Sequence, residues 1–338
     1  MLSDSKLSMV RAATANRLKL SPEFGRRFLV TVDTEEEFDW NGPFERQGHT
    51  TVSVPKLKRF QEFSGKLGIR PVYFVDYSIV QNDEARAFLK SVCDDGSAAV
   101  GVHLHPWVNP PFEEEVGPAN SFSGNLPKEL EEAKIVHLSD AIEQATGKRP
   151  ICYRAGRYGI GPNTFEILTK LGFVLDSSVR SHFDYSQEGG PDFSEFGPEP
   201  FWLGDNREMV ELPLTTVLSG MLRKQHGYLL RMMNRSSLSA ALLSNLKVLE
   251  RIPLTPEGIT AREAMEAIDV ALDDGLKLLV FSFHSPSLSP GHTPYVRTDD
   301  DLDRFYDWWR EVFEHLRAQD VAPAGMDDLL QNSGLAGK

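Results

Sequence analysis

Phe28-Leu29-Val30-Thr31-Val32-Asp33-Thr34-Glu35-Glu36-Glu37-Phe38-Asp39-Trp40 opens with an unbroken apolar and β-branched run and passes, without a turn residue, into a row of carboxylates. A strand with one wet face alternates apolar and polar residues. A run without alternation belongs to a strand covered on both faces, as in a parallel sheet packed against helices. Further short apolar runs lie at residues 70–75, 98–102, 151–154, 174–176, 209–212 and 277–283. Between them, residues 54–67, 127–146 and 163–171 carry apolar side chains at three- and four-residue spacing and reach a glycine near their ends. The alternation predicts an α/β fold, with βα units around a parallel sheet or barrel.

Other segments fill in the plan. Residues 300–318 place Phe305, Trp308, Trp309, Phe313 and Leu316 at helical spacing, which reads as a stripe packed into the core. Residues 181–204 are rich in Gly, Pro and aromatic side chains without a period, so a long ordered loop over a site is expected, with Phe183, Tyr185, Phe193 and Trp202 shaping substrate choice. Residues 216–254 read as a helical insertion. They are locally basic, with Arg223, Lys224, Arg231, Arg235, Lys247 and Arg251 against Glu250 alone. Such a face suits an anionic surface or a second copy of the chain in a homo-oligomer. The expected organisation is an N-terminal extension, residues 1–26, and one barrel domain, residues 27–330, that contains the 216–254 insertion.

With 338 residues, 41% of them hydrophobic, the chain can bury the core of a single α/β barrel. Its 36 basic and 49 acidic residues leave a net charge of −13, which repels a phosphate backbone and argues against a nucleic-acid partner. The N-terminal stretch lacks the roughly 7–15 consecutive apolar residues of a signal peptide. No run approaches the roughly 20 apolar residues of a transmembrane segment. The two cysteines, Cys93 and Cys152, lie beside buried runs and suit reduced thiols. The expected compartment is the cytoplasm.

Working residues of parallel α/β folds cluster at the carboxyl ends of strands. At the first such end, Asp33 and Glu35 stand at i and i+2, on one face of extended chain, where two carboxylates repel unless a cation or proton lies between them. Glu36, Glu37 and Asp39 read as an acidic surface loop. A second end, Val102-His103-Leu104-His105-Pro106-Trp107, pairs two imidazoles on one face, a common donor set for zinc and related metals. The run ending Phe283-His284-Ser285-Pro286 offers a histidine that, beside a metal, becomes a candidate general acid. Finally, Tyr153-Arg154-Ala155-Gly156-Arg157-Tyr158-Gly159 offers an arginine able to pair with a carboxylate and glycines that let backbone approach a substrate.

In this order the four segments resemble the motifs of the polysaccharide deacetylases of carbohydrate esterase family 4, the NodB-homology proteins, in a divergent WalW-like branch. The resemblance runs from Phe28 to the chain end and leaves the 216–254 insertion outside the common barrel. It implies a distorted (β/α)7 barrel and a metal-dependent hydrolase that removes an acyl group, N-acetyl by expectation, from an amino sugar or polysaccharide precursor. It implies one divalent metal ion, zinc by expectation, with nickel, cobalt or manganese as alternatives. Asp33 resembles the family's catalytic base and Glu35 its metal-binding acid. His103 resembles the first metal histidine. The second normally follows four residues later, where Trp107 stands here, so His105 is the expected substitute. Arg154 resembles the residue that orients the base, Tyr158 the residue whose backbone N–H serves the oxyanion, and His284 the general acid. The usual proline of the Arg154 motif is missing. Two alternatives remain open: a hydrolase of non-sugar amides on the same fold, and a catalytically silent carbohydrate-binding protein.

Overall fold

The computed structural model describes residues 15–40, 42–223, 233, 243 and 248–335. Its strands are β1 (Arg26–Thr34), β2 (Val72–Val75), β3 (Ala99–Leu104), β4 (Cys152–Ala155), β5 (Leu175–Asp176), β6 (Phe201–Leu203), β7 (Met209–Glu211), β8 (Thr216–Ser219), β9 (Glu250–Pro253), β10 (Leu278–His284) and β11 (Val321–Pro323). Nine of them form one sheet in the order β10-β1-β2-β3-β4-β5-β7-β6, with β11 beside β1. Every pair from β10 through β7 is parallel, so the apolar runs read from the sequence become a curved array of seven parallel strands. The fold is α/β with a mostly parallel half-barrel sheet.

Among the described residues no strand pair closes the ring between β7 and β10. Thr215 spans the gap instead: its N–H donates to Val280 O at 3.1 Å and its hydroxyl accepts from Val280 N–H at 2.8 Å. On the other side Leu214 N–H donates to Val179 O at 2.8 Å, so the ring is completed by irregular backbone and is distorted there.

Two expectations change. The 181–204 segment is not loop throughout, because it ends in β6, which pairs antiparallel with β7. The 216–254 segment begins and ends in strand, β8 pairing antiparallel with β9 through Thr216↔Pro253 and Ser219↔Glu250. β-Branched Thr216, Val217 and Ile252 suit that pairing. Most of the expected helical insertion, including Lys224, Arg231, Arg235 and Lys247, lies outside the described residues, as do residues 1–14 of the N-terminal extension.

Helices cover the outer face. Helix Asp299–Ala318 starts on a capping box between Thr298 and Asp301 and buries Phe305, Trp308, Trp309 and Leu316. The Phe281 ring of β10 lies 5.8 Å from Trp309 and 6.3 Å from Trp308, so the aromatic stripe packs into the core as its spacing predicts. Cys93 and Cys152 are both buried and free. Among the described residues no helix is long and apolar enough to cross a membrane.

Candidate active site

Strand register builds the site. Asp33, next to last in β1, pairs with His284, the last residue of β10, and His103 of β3 pairs with Arg154 of β4. Four side chains from four strands thus emerge at one carboxyl end of the sheet. Glu35 follows β1 directly, and its N–H donates to the Ser285 hydroxyl at 3.2 Å.

Arg154 and Asp33 form a buried ion pair. The guanidinium is otherwise saturated. Nε donates to Ser177 O at 2.9 Å, Nη2 to the Thr31 hydroxyl at 2.9 Å and to the Ser177 hydroxyl at 3.0 Å, and Cζ sits 4.3 Å from the Phe74 ring centre. Such saturation offsets the cost of burying a charge. Burial alone would raise the pKa of Asp33, but Arg154, His103 and His284 outweigh it and hold the carboxylate below its usual range. Asp33 is therefore an ionised base beside the cluster.

The two histidines have their tautomers set by their neighbours. His103 Nδ1 lies 3.1 Å from Arg154 O. A carbonyl only accepts, so Nδ1 carries the hydrogen and Nε2 presents a lone pair, 3.3 Å from Glu35 Oε2. His105 Nδ1 lies 2.9 Å from Glu36 Oε2, which leaves Nε2 as a lone pair 3.4 Å from the same Glu35 oxygen. Burial lowers both imidazole pKa values, that of His105 to about 4, so both rings are neutral. Burial also pushes Glu35 up, against the pull of His284 and His103. Two imidazole lone pairs and a carboxylate oxygen face one another, and the buried donor atoms of Glu35, His103 and His105 lie within 4.8 Å of one another. That set fits a divalent cation, with two nitrogens and one oxygen as zinc accepts.

Glu36, Asp76 and His105 form a second buried group. It is poorly suited to a metal because its lone pairs are already taken. Asp76 accepts from Ile79 N–H at 2.7 Å and Glu36 N–H at 2.9 Å, and Glu36 accepts from the Trp107 indole at 2.9 Å as well as from His105. Burial, and then the Glu36 charge, keep Asp76 well above its normal pKa, while Glu36 is pushed up to about 7.

Glu35, His103 and His105, by contrast, line a cleft of about 220 Å³ together with Asp33 and His284. A working metal needs such an opening for water and substrate. Tyr158 lines it too, and both Arg157 (φ 52°) and Tyr158 (φ 59°) hold left-handed backbone, a strain that clusters at functional sites. Gly156 is required for packing: a Cβ there would stand 2.3 Å from His105 Cδ2 and 2.5 Å from Leu104 O. A larger cavity of about 810 Å³ opens beside Lys277 and Leu278, at the amino end of β10 and opposite to His284.

Over 95% of its length the chain superposes on 94% of a crystal structure from Mycobacterium smegmatis, assigned by name as a polysaccharide deacetylase, with TM-score 0.54 and 17% identity. The fold is that of the polysaccharide deacetylases. Fainter likenesses link it to a family 4 carbohydrate esterase from Streptomyces lividans in complex with acetate and to a family 4 pseudoenzyme from Bacillus anthracis. The first has TM-score 0.44 at 10% identity over 91% of this chain and 95% of that one. The second has TM-score 0.45 at 8% identity over 90% and 66%. No protein-family model matches the sequence, and no curated protein does.

Within the deacetylase fold, the geometry brings all seven sequence-selected residues, Asp33, Glu35, His103, His105, Arg154, Tyr158 and His284, to one region. It also corrects the reading of Glu36 and Glu37 as surface acids, since both are buried. Glu36 is tied to His105 and Trp107. Glu37 accepts from Val52 N–H and Ser53 N–H just ahead of helix Val54–Lys66, where a carboxylate complements the helix dipole. Asp39 is exposed as expected. One residue went unread altogether. Glu257 accepts from His284 Nδ1 at 2.7 Å and from His284 N–H at 3.1 Å, leaving His284 Nε2 3.8 Å from Asp33 Oδ2. Burial would lower the His284 pKa, but Glu257, then Glu35 and Asp33, push it up to about 10. The available signal was a Thr-Pro-Glu-Gly turn just after a short apolar segment.

Proposed function

We propose that the chain is a hydrolase that uses one divalent metal, zinc in the first instance, to remove an acyl group, by preference N-acetyl, from the nitrogen of an amino sugar. The observation that carries the reading is the meeting of Glu35, His103 Nε2 and His105 Nε2 with their lone pairs toward one point, next to an ionised Asp33. The departure at Trp107, answered by His105, fits a divergent branch of the deacetylases. A metal held by those three side chains would supply Lewis acidity, polarising water and the acyl carbonyl.

The chain's own residues do the rest. Asp33, kept ionised by Arg154, takes a proton from the attacking water. Its low pKa also favours a resting state without that proton. His284, with Nδ1–H held by Glu257, keeps Nε2 toward the cleft and is charged at neutral pH, so Nε2–H can pass to the departing amine nitrogen. The left-handed backbone at Tyr158 brings main chain to the cleft, where an N–H can stabilise the oxyanion. Phe38, Trp40 and Phe44 form an apolar wall that limits water.

Acetate release from N-acetylglucosamine oligomers tests the assignment. With zinc content measured in parallel, Asp33→Asn and His284→Ala each lose about 10²–10⁴-fold in kcat while retaining the metal. Turnover at wild-type rates in either variant overturns these roles.

A further inference from the structure

The cleft continues beyond the candidate metal ligands. A second cavity of about 220 Å³ shares Trp40, Arg157, Tyr158 and His284 with the first and adds Arg180, Tyr185, Thr255, Ser282, Tyr295 and Glu257, whose carboxylate is paired with His284. Each alone is smaller than the roughly 300–1,000 Å³ of ordinary ligand sites, and with four walls in common they act as one elongated site.

The chemistry of this second half is unlike that of the first. Arg180 is half-buried, bridged by its backbone to Leu214, and Nη1 donates to the Tyr185 hydroxyl at 3.0 Å. Its guanidinium carbon lies 3.9 Å from the Phe183 ring centre and 5.4 Å from that of Tyr158. Arg251 lies on the same Phe183 ring at 3.8 Å. Among the described residues, Arg180 thus has a phenol and two aromatic faces as partners and no carboxylate within ion-pair reach. In a chain with 49 acidic and 36 basic residues a counter-charge is easily provided, so its absence here is informative. Burial, and then the Arg180 charge, lower the Arg251 pKa to about 10, so the two cations feel each other. Arg157, the third guanidinium, is answered by Glu188.

A second donor on the same wall also lacks an acceptor. Among the described residues the buried Trp40 indole N–H has no hydrogen-bond partner, and its ring lies 5.0 Å from His284 and 6.0 Å from Tyr295. A buried donor left without an acceptor is costly, and so is a partly desolvated cation without a counter-charge. Both costs are removed if the ligand brings an oxyanion, which a planar guanidinium reads well.

We propose that the part of the cleft bounded by Trp40, Tyr158, Arg180 and Tyr295 is a subsite for an oxyanion, carboxylate or phosphate, carried on or beside the acylated sugar, with Arg180 as the specificity-determining residue. The proposal rests on the hydrolase reading for its position relative to the scissile amide. Its chemistry rests on Arg180 and Trp40 alone. The aromatic ring of Tyr295, 42% exposed at the rim, offers a face for the sugar.

The test is calorimetric binding by the full zinc-loaded chain carrying Asp33→Asn, so that nothing is turned over. The probes are N-acetylmuramic acid, N-acetylglucosamine 6-phosphate and neutral N-acetylglucosamine. At least one anionic probe binds roughly ten- to a hundredfold more tightly than the neutral one, as charge-assisted hydrogen bonds allow. Which of the two does so identifies the carboxylate or the phosphate. Adding Arg180→Met brings the ratio to near one, and Arg180→Lys, which keeps the charge without the fork, restores part of it. Equal binding of all three probes, or a ratio that survives Arg180→Met in a protein of unchanged melting temperature, overturns the subsite. Acetate release by the chain with Asp33 restored separates the two readings. Selective, Arg180-dependent binding without turnover upholds the subsite and removes the hydrolase. Turnover without anion preference does the reverse.

Discussion

Glu36→Gln is the perturbation that most sharply separates a metal-centred account from a purely structural one. Glu36 Oε2 accepts from His105 Nδ1 at 2.9 Å, while Oε1 accepts from the Trp107 indole at 2.9 Å, and the His105 and Trp107 rings stack at 4.3 Å and 24°. The carboxylate therefore selects the tautomer that leaves His105 Nε2 as a ligand, and it raises the basicity of the ring. Glutamine keeps the volume and can still offer one acceptor, but it lacks the charge and the paired oxygens. Losing such a carboxylate behind a metal-binding histidine costs about 10–100-fold in metal affinity, or about 1.4–2.7 kcal/mol. Stability of the metal-free protein moves the other way. Glu36 and Asp76 are both fully buried; burial and the Glu35 charge raise the Glu36 pKa, and the Glu36 charge in turn raises that of Asp76, so a neutral amide relieves the crowding of carboxylates. The assay is zinc affinity by chelator competition at neutral pH, alongside the melting temperature of the metal-free protein. Weakened affinity with a melting temperature held or raised is expected. Affinity within threefold of wild type, or loss of affinity and apo-stability in parallel, refutes the reasoning.

Arg154→Met leaves Asp33 buried without its counter-ion and should destabilise the fold by about 3–5 kcal/mol, read from denaturant unfolding. A loss under about 1 kcal/mol means Asp33 is solvated in a way its burial denies. Glu257→Gln acts on pH dependence. His284 must be protonated to serve the leaving nitrogen, so activity falls as pH rises through its pKa, and Glu257 is the foremost influence raising that value. Without the carboxylate, the alkaline limb of kcat should move to lower pH by about one to three units, and an unmoved limb shows that another group sets it.

Much of the fold is legible in the sequence because strands buried on both faces leave unbroken apolar runs. The runs at residues 27–32, 98–102 and 277–283 are each followed at once by a residue of the site, which is why Asp33, His103, His105 and His284 can be read without coordinates. β6 and β9 escape that reading because they are short and lie in segments dominated by loop or helical composition. Missing β9 hides Glu257, whose turn follows it. Glu36 fails for a different reason. Local polarity cannot show that Phe38, Trp107 and Asp76, brought from three places in the chain, seal an acidic stretch from water. Arg180 fails likewise, since its lack of a carboxylate partner is a property of three-dimensional neighbours.

The most direct measurement is anomalous diffraction at the zinc edge from crystals of the full chain grown with zinc. The account predicts one strong peak bonded to a Glu35 carboxylate oxygen, His103 Nε2 and His105 Nε2. No peak in that position, or a peak seated between Glu36, Asp76 and His105 Nδ1, contradicts it.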